Sequence, residues 1–349
     1  MALWTVSHPV PLQSNGDPIL LDDFFAHSVV NNNTIWTLSN SDNRNYYCGL
    51  LNQFNPENSE FKKIYLRGNG DGYSPKKLIS CGKMLYILSS TGEPGRVNHY
   101  KIRHYNTETN ISREVYGFIG RVIGQQAKEG FIYLLMKNGR AYELRTVDIS
   151  RGTVKCTDLS FAQEDNIPSF EPTHLLMKNE KLYVFGNRGN FRIVSLIDEY
   201  YQVHELSRIN CDTTSDGYWT DETLVTPSPR YRPGRNNSGI PDKWRVETYD
   251  FEKHTWRRSR MNGRWEYIYQ DRVPVAKIGN KIFAHVRVLS RKGFRWVIAE
   301  LDLKPTIIDM LLTVRAEKVS KESDKRIMLN SVPTSLRKRL ENFIDYHDW

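Results

Sequence analysis

The chain has 349 residues, a formal net charge of +9 and 12% aromatic residues. No apolar run reaches the roughly 18 residues that a membrane-spanning helix needs, so the sequence predicts a soluble, globular protein. The first residues lack the basic-then-apolar pattern of a secretory signal, which predicts a cytoplasmic or nuclear location.

In chain order, a short strand at residues 3–6 comes first, and a unit of about 50 residues then repeats six times. Each unit begins with a buried apolar strand, and these strands are centred on Trp36, Tyr86, Tyr133, Tyr183, Val225 and Phe283. Each unit continues to an outer strand that ends in Asn or Asp, at Asn55, Asn106, Asp148, Asp198, Asp250 and Asp302. Two series with one period are typical of kelch-type β-propeller blades.

This period predicts an all-β fold, a six-bladed kelch-like β-propeller over residues 1–304. A short helical tail is predicted to follow over residues 305–349. One four-stranded blade cannot cover both of its faces, so neighbouring blades must cover it and the ring must close. Residues 1–10 are predicted to supply the closing strand of the last blade. A linear solenoid of the same repeats is the alternative, but it needs capping units that we do not find in the sequence.

Three arginines stand close together after the buried strand of the fifth unit, at Arg230, Arg232 and Arg235. Guanidinium groups bind carboxylates and phosphates through paired hydrogen bonds. The Pro233-Gly234 pair favours a turn, which would let Arg230 and Arg235 converge on one anion. The sequence therefore predicts a carboxylate-binding loop at the rim of the propeller. A solvated charged loop is the alternative.

The tail contains two predicted helices. The first begins near Thr306, a possible N-cap after Pro305. The second carries apolar residues in a helical stripe at Leu336, Leu340 and Phe343. These apolar faces are predicted either to pack on the propeller or to dock on a partner protein.

Motifs of common enzymes are missing from the sequence. It contains no GxGxxG, GxxxxGK[ST], HExxH or GxSxG, and its nine histidines show no metal-ligand spacing. Propeller enzymes such as sialidases use clustered carboxylates with a tyrosine nucleophile, and no such cluster is legible here. The sequence therefore predicts a non-enzymatic protein without a cofactor or a metal. The cysteines Cys48, Cys81, Cys156 and Cys211 lie far apart, which predicts reduced thiols.

Three segments carry a resemblance to a known family. The last strand runs into Leu301-Asp302-Leu303-Lys304-Pro305-Thr306-Ile307, and Met310-Leu311 and Val332-Pro333 follow. The chain starts Met1-Ala2-Leu3-Trp4-Thr5-Val6, and residues 230–235 form an Arg-Tyr-Arg-x-x-Arg string. Together these segments resemble kelch-domain substrate receptors of elongin–cullin ubiquitin ligases, of the kelch-domain-containing protein 3 type.

The resemblance implies a receptor that reads degrons, in which Arg230 and Arg235 hold the terminal carboxylate of a peptide. It also implies that the tail is similar to a BC-box and cullin-box and binds elongin B/C and a cullin. The tail residues expected at that interface are Ile307, Met310, Leu311, Val314, Val332, Pro333, Leu336, Leu340 and Phe343.

Two alternatives to this ligase receptor stay open. One is a kelch-type interaction scaffold with no ligase link, whose tail packs on its own blades. The other is a basic propeller that binds nucleic acid, because the net charge permits it. No helix-turn-helix, zinc-finger spacing or RNP-like motif supports the second alternative.

Overall fold

The structure is a computed structural model that describes residues 2–9, 27–40, 49–66, 73–91, 98–106, 109, 111–161, 170–210, 218–220, 222–228, 243–262, 275–290, 293–303 and 333. In that part every regular element is a β-strand, so the predicted all-β class is confirmed. The described residues accordingly contain no helix that could cross a membrane.

In the described residues, 23 strands form multi-stranded sheets of a β-propeller-like kind. The first twelve are β1 (Ala2–Pro9), β2 (His27–Asn31), β3 (Thr34–Asn40), β4 (Gly49–Asn55), β5 (Glu60–Tyr65), β6 (Ser74–Cys81), β7 (Met84–Ser90), β8 (Asn98–Asn106), β9 (Ile111–Lys128), β10 (Phe131–Asn138), β11 (Ala141–Asp148) and β12 (Thr153–Phe161). The others are β13 (Glu171–Lys178), β14 (Lys181–Arg188), β15 (Phe191–Ile197), β16 (Gln202–Asn210), β17 (Tyr218–Thr220), β18 (Thr223–Ser228), β19 (Lys243–Asp250), β20 (Thr255–Asn262), β21 (Val275–Ile278), β22 (Lys281–Ser290) and β23 (Gly293–Asp302).

The chain divides into two compact units. Unit A contains Leu21–Glu222 and Thr248–Arg257. Unit B contains Met1–Leu20, Thr223–Glu247 and Arg258–Trp349.

Unit A is built from four groups of four antiparallel strands. The first group is β2 to β5, and the second is β6 to β8 with residues 111–120 of β9. The third is residues 121–128 of β9 with β10 to β12, and the fourth is β13 to β16. The long strand β9 therefore ends one group and starts the next. A parallel pairing of β12 with β16, Ser160 opposite Gln202, joins the third group to the fourth.

The groups of unit A bury their faces against one another. Trp36 and Leu38 of the first group share a buried cluster with Leu85 and Ile87 of the second. Similar clusters join the second group to the third and the third to the fourth. Each predicted buried strand corresponds to β3, β7, β10, β14, β18 or β22. In β3, β7, β10 and β14 the apolar runs are explained by packing on both faces of the strand.

Two Asp anchors of the repeat, Asp148 and Asp250, end their strands and shape the turns that follow. Asp148 Oδ1 accepts hydrogen bonds from the Ser150 and Arg151 amides at 2.9 and 3.1 Å, and Asp250 Oδ1 accepts from Glu252 and Lys253 at 3.1 Å each. Such side-chain caps mimic a backbone turn. They lower the pKa of both carboxyl groups, mainly through the Ser150 hydroxyl for Asp148 and the Lys253 amide for Asp250. The recurring Asp in the sequence thus marks a recurring turn that the Asp side chain caps.

In unit B, strand β1 lies between two other strands. It pairs antiparallel with β23, with Leu3 opposite Asp302, and parallel with the end of β20, with Ala2 opposite Met261. β22 and β21 continue the sheet beyond β23 in antiparallel register. Hydrogen bonds therefore tie the start of the chain to its last described strand.

Candidate binding site at three bulged strands

Three strands, each the first strand of a group in unit A, carry a β-bulge within their first few residues in that group. Lys76 is the extra residue of β6, between Pro75 and Lys77. Ile123 is the extra residue of β9, and Thr173 is the extra residue of β13. The three positions lie about one repeat apart in sequence. Bulges re-aim side chains and are common beside binding sites, so their recurrence indicates a candidate site in this region.

A lysine beside the first bulge reaches across to the next group. The Lys77 Nζ atom donates a hydrogen bond to Gln125 Oε1 at 3.0 Å, which connects β6 to β9. Gln125 stands two residues beyond the bulge residue Ile123. The hydrogen bond therefore joins two bulged strands that are separated by a whole repeat.

The charge of Lys77 is poorly compensated. Its acceptor is a neutral amide oxygen, and no carboxylate of the described part pairs with its ammonium group. Burial lowers the pKa of Lys77 to about 8, and burial also lowers the pKa of the adjacent Lys76. Desolvation disfavours the charged form of a lysine, and a nearby anion restores it. Lys77 is thus a cation whose surroundings favour an anionic ligand.

Strand β9 contributes a second cation on the same strand as Gln125. The Nε atom of Arg121 is buried and has no hydrogen-bond partner among the described residues. Farther along β9, Gly124 allows the neighbouring strand to come close. A Cβ atom there would lie 2.9 Å from the backbone nitrogen of Leu175 in β13. The second and third bulged strands are therefore held tightly side by side.

An aromatic pair follows the third bulge. The His174 ring stacks on Trp219 with a centroid distance of 5.2 Å and an interplanar angle of 1°. Trp219 in turn contacts Phe185 at 4.6 Å between centroids. These rings belong to, or border, the buried cluster that contains Tyr249 and Phe185. They brace β13 and β17 from the apolar side.

The predicted site residues fall almost entirely outside the described part. Arg230, Arg232 and Arg235 lie in residues 229–242, which the structure does not describe. Of the tail residues, only Pro333 is described, and it is exposed and in neither a helix nor a strand. Ile307, Met310, Leu311, Val314, Val332, Leu336, Leu340 and Phe343 lie outside the described residues.

Sequence reasoning missed Lys77 and Gln125. The available signal was a pair of lysines, Lys76-Lys77, directly before the apolar pair Leu78-Ile79 in one strand. A lysine in a strand whose faces are covered by neighbouring strands is unusual. Among the described residues, no group of His, Cys, Asp and Glu could hold a metal ion, and Cys81 and Cys156 are both unpaired thiols.

Comparisons with known proteins gave matches only among solved structures: no protein-family model matches the chain, and no curated protein matches it. Trypanosoma rangeli sialidase in complex with sialic acid is 11% identical, with a TM-score of 0.47, over 94% of this chain and 61% of that chain. The structure of YjhT is 10% identical, with a TM-score of 0.45, over 83% of this chain and 95% of that chain. A protein from Lactobacillus plantarum is 11% identical, with a TM-score of 0.43, over 77% of this chain and 82% of that chain. The chain spans about three-fifths of the length of the sialidases that it matches. Similarity this low assigns no activity, substrate or partner to the chain.

These comparisons contradict the predicted family. None of the structural neighbours named above is a substrate receptor of a ubiquitin ligase, and several are sialidases, so the predicted kelch-domain receptor of the elongin–cullin system is wrong. The same neighbours contradict the functions and partners that were predicted with this family. These are the degron-reading function, the kelch-type scaffold, the nucleic-acid-binding propeller, and elongin and a cullin as partners. The resemblance rested on short apolar strings such as Leu301-Asp302-Leu303, and similar strings occur at other anchors of the repeat, such as Val147-Asp148-Ile149 and Tyr249-Asp250-Phe251.

The prediction of a non-enzymatic protein is contradicted by the same neighbours, because several are sialidases with inhibitors or sialic acid bound. That prediction relied on the absence of local motifs. In a propeller-like fold, one site draws its residues from several groups of strands, about a repeat apart. A motif search along the sequence cannot detect such a site, as the link from Lys77 to Gln125 illustrates.

Proposed function

We propose that the chain binds a small acidic ligand at the bulged strands β6 and β9. The observation that carries the proposal is the hydrogen bond from the half-buried Lys77 ammonium to the neutral amide of Gln125, and burial also lowers the pKa of Lys77. A carboxylate at that place would accept a charge-assisted hydrogen bond from Lys77, worth about 1.5–3 kcal/mol. Gln125 would hold the ammonium in position before the ligand arrives.

An acidic sugar is the ligand class that we propose to test first. Sialic acid carries one carboxylate and is the ligand in the complex with Trypanosoma rangeli sialidase. Its methyl ester is the matched neutral control, because it keeps the ring and loses only the charge. Glucuronic acid tests whether the carboxylate is sufficient on another sugar.

The first prediction concerns the charge of Lys77. Lys77→Met is expected to weaken binding of sialic acid by about tenfold to a hundredfold, because it removes one charge-assisted hydrogen bond. Lys77→Arg keeps the charge and is expected to retain most of the affinity. Isothermal titration calorimetry on the full chain measures both.

Lys83→Met is the control for the loss of a lysine, because Lys83 is exposed in the turn between β6 and β7. It is expected to bind like the wild type. The proposal is overturned if the wild type binds neither sialic acid nor glucuronic acid, or if the methyl ester binds as well as the free acid.

The second prediction concerns pH. Lys77 has a pKa of about 8 in the folded, unliganded protein, below its usual 10.5. The ammonium is therefore present below pH 8 and is lost as the pH rises, so affinity for the acid is expected to fall above pH 8. An anionic ligand favours the ammonium form of Lys77, so in the bound state Lys77 loses its proton at a higher pH than in the free protein. Affinity measured from pH 6 to pH 10 is expected to decline for the wild type and to stay level for Lys77→Arg, whose guanidinium does not titrate in this range. A level wild-type profile would contradict the assigned role.

We also propose that the strands complete a six-bladed ring followed by a helical tail at residues 305–349. Support comes from the four groups of four strands in unit A and from the pairing of β1 with β23 in unit B. Residues 1–10 would then supply the closing strand. Arg230, Arg232 and Arg235 remain a separate proposal as ligands for a carboxylate, supported by their sequence spacing alone.

A further inference from the structure

The face of the second group that packs against β3 is apolar along most of β7 and becomes polar at the end of that strand. Leu85 and Ile87 of β7 lie on this face and pack with Trp36 and Leu38 of β3. Side chains alternate between faces along a strand, so Ser89 lies on the same face, two residues beyond Ile87. The apolar contact therefore gives way to a hydroxyl group at the end of β7.

Two cations of β8 lie opposite this end of β7. Register places Lys101 opposite Ser89 and Arg103 opposite Ile87. Arg103 is 7% exposed, which is low for an arginine. Both cations lie over the ring of Tyr73, with Lys101 Nζ 4.5 Å and Arg103 Cζ 5.9 Å from its centroid. Ser89, Lys101 and Arg103 therefore lie on one face, at one corner of the second group.

The Ser89 hydroxyl is the unusual member of this corner. Ser89 is 0% exposed, and its Oγ atom has no hydrogen-bond partner among the described residues. A buried hydroxyl without a partner is costly and calls for an explanation. Lys101 also pairs with Glu114 at 2.9 Å, and that carboxylate is half exposed. An anion bound here would therefore accept a hydrogen bond from Lys101, which would also keep its contact with Glu114. The anion would also accept a hydrogen bond from the Ser89 hydroxyl.

We propose that Ser89, Lys101 and Arg103 form a binding site for a phosphate group, separate from the site at Lys77. A tetrahedral oxyanion has enough oxygen atoms to accept from the hydroxyl, the ammonium and the guanidinium together. Lys77 pairs with Leu88 and bonds to the third group, whereas Ser89 faces the first group. The two sites therefore use opposite faces of the second group.

Thermal unfolding of the full chain in inorganic phosphate, compared with chloride at equal ionic strength, tests this site. Wild type is expected to gain stability with phosphate. Ser89→Ala is expected to weaken the apparent affinity at least tenfold, and Lys101→Met is expected to do the same. Ser195→Ala, which removes another buried serine, is expected to behave as wild type. Phenyl phosphate is the second probe: stabilisation by both probes identifies a phosphate monoester site, and stabilisation by inorganic phosphate alone identifies a site for the free ion.

The variant Ser89→Ala has a second readout. If the hydroxyl is only a packing defect, Ser89→Ala raises the unfolding temperature and leaves the phosphate response unchanged, which would overturn the proposal. A wild type that responds to neither probe would overturn it as well. Loss of the response in Lys77→Met with its persistence in Ser89→Ala would place the ion at Lys77 and also overturn this inference.

Discussion

Replacing Gly186 with alanine is expected to destabilise unit A by about 3 kcal/mol or more, at the upper end of the usual cost of overpacking. Gly186 lies in β14, opposite Pro172 of β13. A Cβ atom at Gly186 would clash with the Glu171 backbone oxygen and would lie 2.6 Å from the Phe170 ring. A backbone oxygen in a sheet cannot move aside without breaking the pairing of β13 with β14, so the strain cannot relax locally.

Urea unfolding followed by tryptophan fluorescence measures this effect as a fall in the midpoint. Gly117→Ala is the matched control, because the nearest atom to a Cβ there is the Glu114 Oε1 atom at 3.4 Å, the end of a flexible side chain. The control is expected to change stability by well under 1 kcal/mol, as most surface substitutions do. Equal midpoints for the two variants would show that β13 and β14 are not packed as described.

The sequence was a good guide to the strands and their ends. The apolar runs around Trp36, Tyr86 and Tyr183 form the second strand of their groups, and the anchors Asn55 and Asp148 end the third. Both features are local. A strand covered on both faces needs a continuous apolar run, and a tight turn needs a side chain that caps its own backbone. Such requirements can be read from neighbouring residues.

The candidate site could not be predicted in the same way. A bulge shifts the register by one residue, and the shifts at Lys76, Ile123 and Thr173 leave no mark on the apolar period. The Lys76-Lys77 pair marks a local charge in the sequence, but it does not show that the Lys77 side chain reaches the next group of strands. Its partner Gln125 is a whole repeat away, so their hydrogen bond depends on how two groups of strands pack.

The clustered arginines of residues 230–235 illustrate how a local pattern is over-interpreted. Charged residues that are close in sequence are easily identified as a site, whereas a site assembled from Lys77 and Gln125 is missed because its residues are far apart in sequence. The apolar strings of the tail misled the family assignment for the same reason. Local sequence patterns predict strands and turns reliably. They predict a binding site only when one segment of the chain supplies most of its residues.

Replacing Phe185 with alanine is expected to destabilise unit A by about 3–5 kcal/mol, the usual loss for a buried phenylalanine. Phe185 is adjacent to Gly186 on β14, is 0% exposed and faces the other side of the sheet. Its ring centroid lies 4.6 Å from that of Trp219 and 6.0 Å from that of Trp256. Removing it leaves a cavity among rigid rings that cannot collapse to fill the space.

Phe131→Ala is the control for Phe185→Ala, because Phe131 is 37% exposed and its loss leaves no enclosed cavity. The control is expected to cost about 1 kcal/mol or less. Tryptophan fluorescence is the measurement, since Trp219 and Trp256 border the cavity and report its hydration as well as unfolding. Phe185→Ala also withdraws support from His174, whose ring lies 5.9 Å away beside the third bulge. If Phe185→Ala unfolds at the midpoint of Phe131→Ala, the cluster around β14 does not form a packed core. If it is destabilised as expected but binds sialic acid like the wild type, the apolar side of β14 supports the fold, and the ligand depends on the strands β6 and β9.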